Sequence, residues 1–222
     1  MLFDLRSRGR RRTVQAVYLG LAILMGGGLI LFGVGAGNGF GGILNAFTGG
    51  GSSSAQKQVV SQQEKQALAA VKANPNDPAA WGQLVSARWT SATTEGANFD
   101  QNTGTFTATG KKELASVGQA WQKYLALTNK PDPTVAILAA RAYAQLGDYA
   151  NQAKAWEIET LADPNQAKGY ECLAAAAYAA KETRKGDLAA AKAVSLVPKV
   201  QQLTVKQALE QAKTSPAIAQ QC

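Results

Sequence analysis

The chain has 222 residues, 23 Lys and Arg against 15 Asp and Glu, a net charge of +8 and no histidine. The missing histidine removes the commonest general base, the commonest metal ligand and every Ser-His or Cys-His nucleophile pair. Arg6, Arg8, Arg10, Arg11 and Arg12 carry about half of the net charge without interleaved aromatics, so the high pI speaks for lipid headgroups rather than nucleic acid.

Those arginines belong to a basic segment, residues 1–12, taken as cytoplasmic. Residues 13 to 56 contain no charged side chain. Thr13 to Val34, with Gln15 as its one strongly polar side chain, is roughly 33 Å long as a helix at about 1.5 Å per residue, enough for a hydrocarbon core of about 30 Å. This predicts a transmembrane helix over 13–34, with the arginines held beside anionic headgroups in the cytoplasm and the remainder outside it. A signal peptide cut near Val34-Gly35-Ala36 is the competing reading. The small pairs Ala22/Gly26 and Gly33/Gly37 admit close helix pairing, although glycine is common in membrane helices.

Residues 35–56 read as a flexible Gly/Ser linker ending in Thr48-Gly-Gly-Gly-Ser-Ser-Ser. Gly37-Asn-Gly-Phe-Gly-Gly42 matches G-x-G-x-x-G, but neither a short strand before it nor an amphipathic helix after it supplies a phosphate site. Phe40, Ile43, Leu44 and Phe47 have helical spacing and fit either an interfacial turn or an irregular loop.

Residues 57–222 are long enough for one domain with a real core, and their alanine, leucine, glutamine and lysine content predicts an all-α fold. Breakers divide the segment at Asn74-Pro-Asn-Asp-Pro78, Lys130-Pro-Asp-Pro133, Asp163-Pro-Asn165 and Val197-Pro198. Pro131 and Pro164 are thirty-three residues apart, Pro164 and Pro198 thirty-four, and Pro75 to Pro131 is longer by an insertion at about 90–110. In the insertion, Asn102-Thr103-Gly104 predicts a turn with Phe99 and Phe106 pairing across it. Asp100-x-Asn102-x-Gly104 is a poor calcium loop, because Lys111 takes the place of the bidentate glutamate.

Trp81-x2-Leu84, Tyr170-x2-Leu173-Ala174, Ala120-x3-Tyr124 and Ala142-Tyr143 ahead of Gly147-Asp148-Tyr149 resemble the tetratricopeptide repeat family. About three degenerate repeats are expected over roughly Lys57 to Pro198. Departures include Val85 and Ala174 at the glycine position, Arg88 at a tyrosine position and Gly186-Asp187 later than the spacing predicts. The full layout is similar to single-span actinobacterial membrane proteins of the envelope. Trp81, Tyr143, Trp156 and Tyr170 are expected to pack in the core against Ala139, Ala140, Ala174, Ala175 and Ala177.

The family resemblance implies a concave groove that takes a protein or peptide. Its lining is expected to include Ser86, Trp89, Arg141, Gln145, Glu171, Ala175 and Tyr178, with Arg141 gripping a carboxylate. The expected function is a membrane-tethered interaction module on the extracytoplasmic side, assisting envelope protein assembly. The alternative is a self-associating structural scaffold. No catalytic, cofactor-binding or metal-binding set is expected. Glu157, Glu159, Asp163, Glu171 and Cys172 form the only clustered enzyme candidates, and on helices such groups are more often solvated faces. Cys172 reads as a small core residue, and an extracytoplasmic location permits a bridge to Cys222 without requiring one.

Overall fold

A computed structural model describes residues 53–93, 98–100 and 102–222. The arginine cluster, the apolar segment 13–34 and the linker up to residue 52 lie outside the described residues. Among the described residues no helix is long and apolar enough to cross a membrane. Residues 57–222 form a compact unit that is mostly helical.

Helix α1, Ser53–Ala73, begins inside the stretch that the sequence assigns to the linker. Its alanine and glutamine content favours helix, and Val60, Ala67 and Val71 recur on one buried face. Glu64 lies on that face, 3.8 Å from Arg88 of α2 (Pro78–Ala92). Arg88 also donates to the Ser116 carbonyl of α3 (Ala108–Leu127) at 2.9 Å. An arginine at the expected tyrosine position thus ties three helices together.

Three helix pairs follow one another. They are α2 with α3, α4 (Pro133–Leu146) with α5 (Tyr149–Ala162), and α6 (Ala167–Ala179) with α7 (Thr183–Leu196). The second helix of each pair packs against the first helix of the next. Helices α4 and α6 start thirty-four residues apart, as do α5 and α7. Two helices open on an Asp-Pro step. Asp77 accepts from Ala79 N at 2.9 Å and Asp132 from Thr134 N at 2.7 Å, each capping an otherwise unpaired amide.

In the insertion, β1 (Phe99–Asp100) pairs antiparallel with β2 (Thr105–Phe106), with Phe99 opposite Phe106. The two rings meet edge to face, 4.9 Å between centroids, as the sequence predicts. After the third pair, α8 (Lys199–Ala212) lies against α6 and α7, and the short α9 (Ala217–Gln220) lies against α4 and α6.

The core is built from small residues at helix contacts. Ala139, Ala140, Ala174 and Ala177 are fully buried, and Tyr143 and Trp156 are buried among them. Trp81 and Tyr170 are partly buried against the same core. The α4–α5 turn is closed by Gly147 at φ +74°, with Gly147 N bonded to Ala144 O and Asp148 N to Tyr143 O. Thirty-four residues later the same pair of bonds recurs, Lys181 N to Tyr178 O and Glu182 N to Ala177 O. There Lys181, at φ +65°, holds the left-handed position. The second hairpin turn is therefore at Lys181, not at Gly186-Asp187.

A lysine in this conformation carries a steric cost that glycine avoids, offset in part by glycine's greater freedom in the unfolded chain. Lys181→Gly is expected to stabilise the unit by about 0.5–1 kcal/mol. Urea unfolding followed by tryptophan fluorescence measures this directly, since all four tryptophans lie in the helical unit.

Candidate functional site

Of the expected groove residues, Arg141 and Gln145 of α4 both bond to the last segment of the chain, which lies against α4 and α6. Segment 215–222 turns back after α8 and seats α9 there. Ala219 is fully buried, Ile218 and Cys222 are half-buried, and Gln220 and Gln221 are exposed. Four-residue helices do not hold their shape unaided, so the contacts around α9 must supply it.

Three side chains donate to main-chain oxygens at the end of α9 and just beyond it. Gln152 Nε2 of α5 donates to Ala219 O at 2.7 Å, Gln145 Nε2 of α4 to Gln220 O at 3.2 Å, and Arg141 Nε of α4 to Cys222 O at 3.3 Å. In return Gln220 Nε2 donates to the Tyr149 hydroxyl at 3.1 Å. A disulfide joins Cys222 to Cys172 of α6, with the Cα atoms 5.6 Å apart. Cys172 itself is buried in the interior, so the bridge runs from the core to the surface segment.

The expected lining residues fall into separate places. Arg141 and Gln145 meet on the tail. Glu171 is half-buried and pairs with Lys168 one turn earlier, at 3.4 Å. Ser86 and Trp89 stand on α2, where Ser86 bonds back to Gly82 O at 3.2 Å and Trp89 rests against the core. Ala175 and Tyr178 are 2% and 6% exposed, so both are interior residues and not part of an open lining. Tyr178 donates to Asp187 at 2.9 Å, with the Lys213 ammonium 5.4 Å from its ring centre. Burial, reinforced by that bond, pushes its hydroxyl up to about 12. The one-residue register error of a degenerate repeat is enough to move a side chain from groove to core.

Gln152 was not among the expected residues, yet it is fully buried and makes the shortest bond to the tail. A signal existed. Gln152 lies one turn before Trp156, on the face that Trp156 buries. The tail was also missed, because residues 199–222 fall beyond Pro198, the last proline in the repeat spacing.

The clustered acids are dispersed. Glu157 pairs with Lys185 at 2.8 Å. Glu159 is buried at the main chain of Gly169, where desolvation first and the nearby Asp163 second raise its pKa. Cys172 is in the disulfide. Among the described residues no group of His, Cys, Asp or Glu is arranged to hold a metal ion. A concavity of about 780 Å³ lies along α6 and α7, lined by Tyr170, Leu173 and Leu188 together with Lys181 and Arg184.

No protein family, curated protein or solved structure matches the chain.

The bonds to the tail differ in burial, and so should their worth. Gln152→Ala removes the buried, shorter of two bonds to the Ala219 carbonyl, which keeps the one from Cys222 N at 3.4 Å, and is expected to destabilise the oxidised protein by about 1–1.5 kcal/mol. Arg141→Ala removes an exposed, longer bond and is expected to cost less than about 1 kcal/mol. Urea midpoints of the two variants under non-reducing conditions make the comparison.

Proposed function

We propose that the chain is a membrane-tethered protein-interaction module whose helix pairs are degenerate tetratricopeptide-type repeats. The observation that carries this reading is the occupied groove. Arg141, Gln145 and Gln152 present donors from two helices to the main chain of one short segment. Main-chain recognition of that kind accepts an incoming peptide with little regard to its sequence, while the closed space around Ala219 selects for a small side chain. The thirty-four-residue offset between the second and third pairs supports the repeat reading.

Tethering is proposed through residues 13–34, with Arg6, Arg8, Arg10, Arg11 and Arg12 beside anionic lipid in the cytoplasm and the helical unit outside it. The pairing of Cys172 with Cys222 supports that side of the membrane, because disulfides persist in oxidising compartments and are rare in the cytosol. A held position at the membrane raises local concentration, so modest groove affinity suffices for partners in the same envelope layer. Assistance to envelope protein assembly is the role that this combination suits.

Binding is testable with this chain's own tail sequence as the probe. A labelled peptide SPAIAQQS, residues 215–222 with serine for Cys222, is expected to bind saturably to the chain ended at Thr214. Arg141→Ala together with Gln145→Ala is expected to weaken it by at least about threefold. Absence of saturable binding up to millimolar peptide refutes the groove. The tether is tested separately: the chain should stay with membranes through alkaline carbonate washing, and its release with the soluble fraction refutes an anchor at 13–34.

A further inference from the structure

We propose that the Cys172–Cys222 disulfide is a latch that keeps segment 217–222 in the groove as an internal competitor, and that a dithiol reductant opens it. The cleared groove then takes a partner segment that ends in a short helical turn with a small residue at the Ala219 place. The inference rests on the groove reading above and adds its regulation.

The construction of the tail carries the argument. Helix α8 is fixed to the unit by buried Leu209 and Ala212. Beyond it, only Ala219 is fully enclosed and Ile218 is half-buried; the bonds from Arg141 and Gln145 are exposed ones, and the one buried bond is that of Gln152 to Ala219 O. A four-residue helix with one small buried side chain is a weak non-covalent occupant. Its covalent tie is therefore the main constraint on where it sits. The tie spans fifty residues of sequence and joins the tail to α6, one of the two helices against which α9 lies. The sulfurs are also unequal in access. Cys172 is 1% exposed and Cys222 half-buried at the protein surface, so an attacking thiolate reaches the Cys222 sulfur first.

The exchange balances with one dithiol per latch. Its thiolate forms a bond to the Cys222 sulfur, and the Cys172–Cys222 bond breaks with its electron pair on the Cys172 sulfur, which takes up a proton. The second thiol of the reductant then attacks the mixed disulfide and frees Cys222 as a thiol. Two electrons and two protons pass to the protein, and the reductant leaves as its own disulfide. The tail swings out about Thr214 to Pro216, while the buried Cys172 thiol stays packed in α6 as a small apolar residue.

Hydrogen exchange of the full chain in detergent micelles tests the latch. In the oxidised protein, amides of 218–222 are expected to exchange slowly; with dithiothreitol they should exchange at least tenfold faster, while amides of α6 keep their protection. Cys222→Ser should show the fast tail with and without reductant. An unchanged tail on reduction overturns the latch. Loss of protection in α6 as well overturns it too, since the bridge would then be supporting the core. The peptide SPAIAQQS should bind Cys222→Ser at least tenfold more tightly than the oxidised parent. If the tail is freed and the peptide does not bind, the latch stands and the docking role of the groove fails.

Discussion

Main chains in this unit approach closely because alanine occupies the facing positions of its helices. In α4 the residues Ala136, Ala139, Ala140, Ala142 and Ala144 are fully buried, and in α6 so are Ala174, Ala176 and Ala177. Such contacts set a short interaxial distance but no preferred rotation or slide, since a row of methyl groups offers little relief. The rings supply what is lacking. Tyr124, Tyr143 and Tyr178 are each buried at a helix contact, and each hydroxyl reaches a named group on a neighbouring segment. Tyr124 accepts from Asp132 N at 2.8 Å, at the entrance to the next pair. Tyr143 donates to Gly118 O at 3.4 Å and accepts from Gln122 at 3.0 Å. Tyr178 bonds to Asp187. The ring fills volume and the hydroxyl fixes register, so a few aromatic residues order an otherwise featureless alanine interface.

A stack of helix pairs always has an unsatisfied end, because each pair leaves a face that only another element covers. Here two elements of different strength do this work. Helix α8 covers α6 and α7 with fourteen residues and is tied to α7 by the Lys213 contact with Asp187 at 3.3 Å. Segment 217–222 lies against α4 and α6 with three apolar contacts, buried Ala219 and half-buried Ile218 and Cys222. Its fixed position comes from polar matching and from one covalent bond. That contrast is why α8 is read as a structural cap and segment 217–222 is proposed as a removable occupant.

The helical architecture was legible in the sequence because its signals are local. Asp-Pro steps start α2 and α4, Gly147 ends α4, and Phe99 with Phe106 marks the small hairpin. The boundary at Ser53 was less clear, since serine next to glycine reads as linker until the glutamine-rich helix behind it is counted. The turn at Lys181 was hidden for a physical reason: the main-chain bonds of the motif do not need glycine, so the residue that usually advertises it was absent. The groove was only partly legible. Arg141 and Gln145 follow from the repeat pattern, but Ala175 and Tyr178 sit one step around the helix, in the interior. Gln152 and the tail depend on a contact across sixty-seven residues, which no local pattern records. The cysteines had the right types for a bridge, but their 5.6 Å separation exists only once α8 has turned the chain back.

The proposed anchor and the proposed latch rest on unrelated physics and agree on location. The arginine cluster argues electrostatically, through the side of the membrane on which basic residues remain during insertion. The cysteine pair argues chemically, through the redox poise of the compartment in which it persists. Reversing the orientation would put the helical unit among reducing thiols, where a tail with one small buried side chain would lose its tie and leave Arg141, Gln145 and Gln152 facing water. Under the proposed orientation the latch is closed by default, and opening it would require a dedicated source of electrons in the envelope. On this proposal the module would be coupled to thiol-disulfide exchange by its position as much as by its fold.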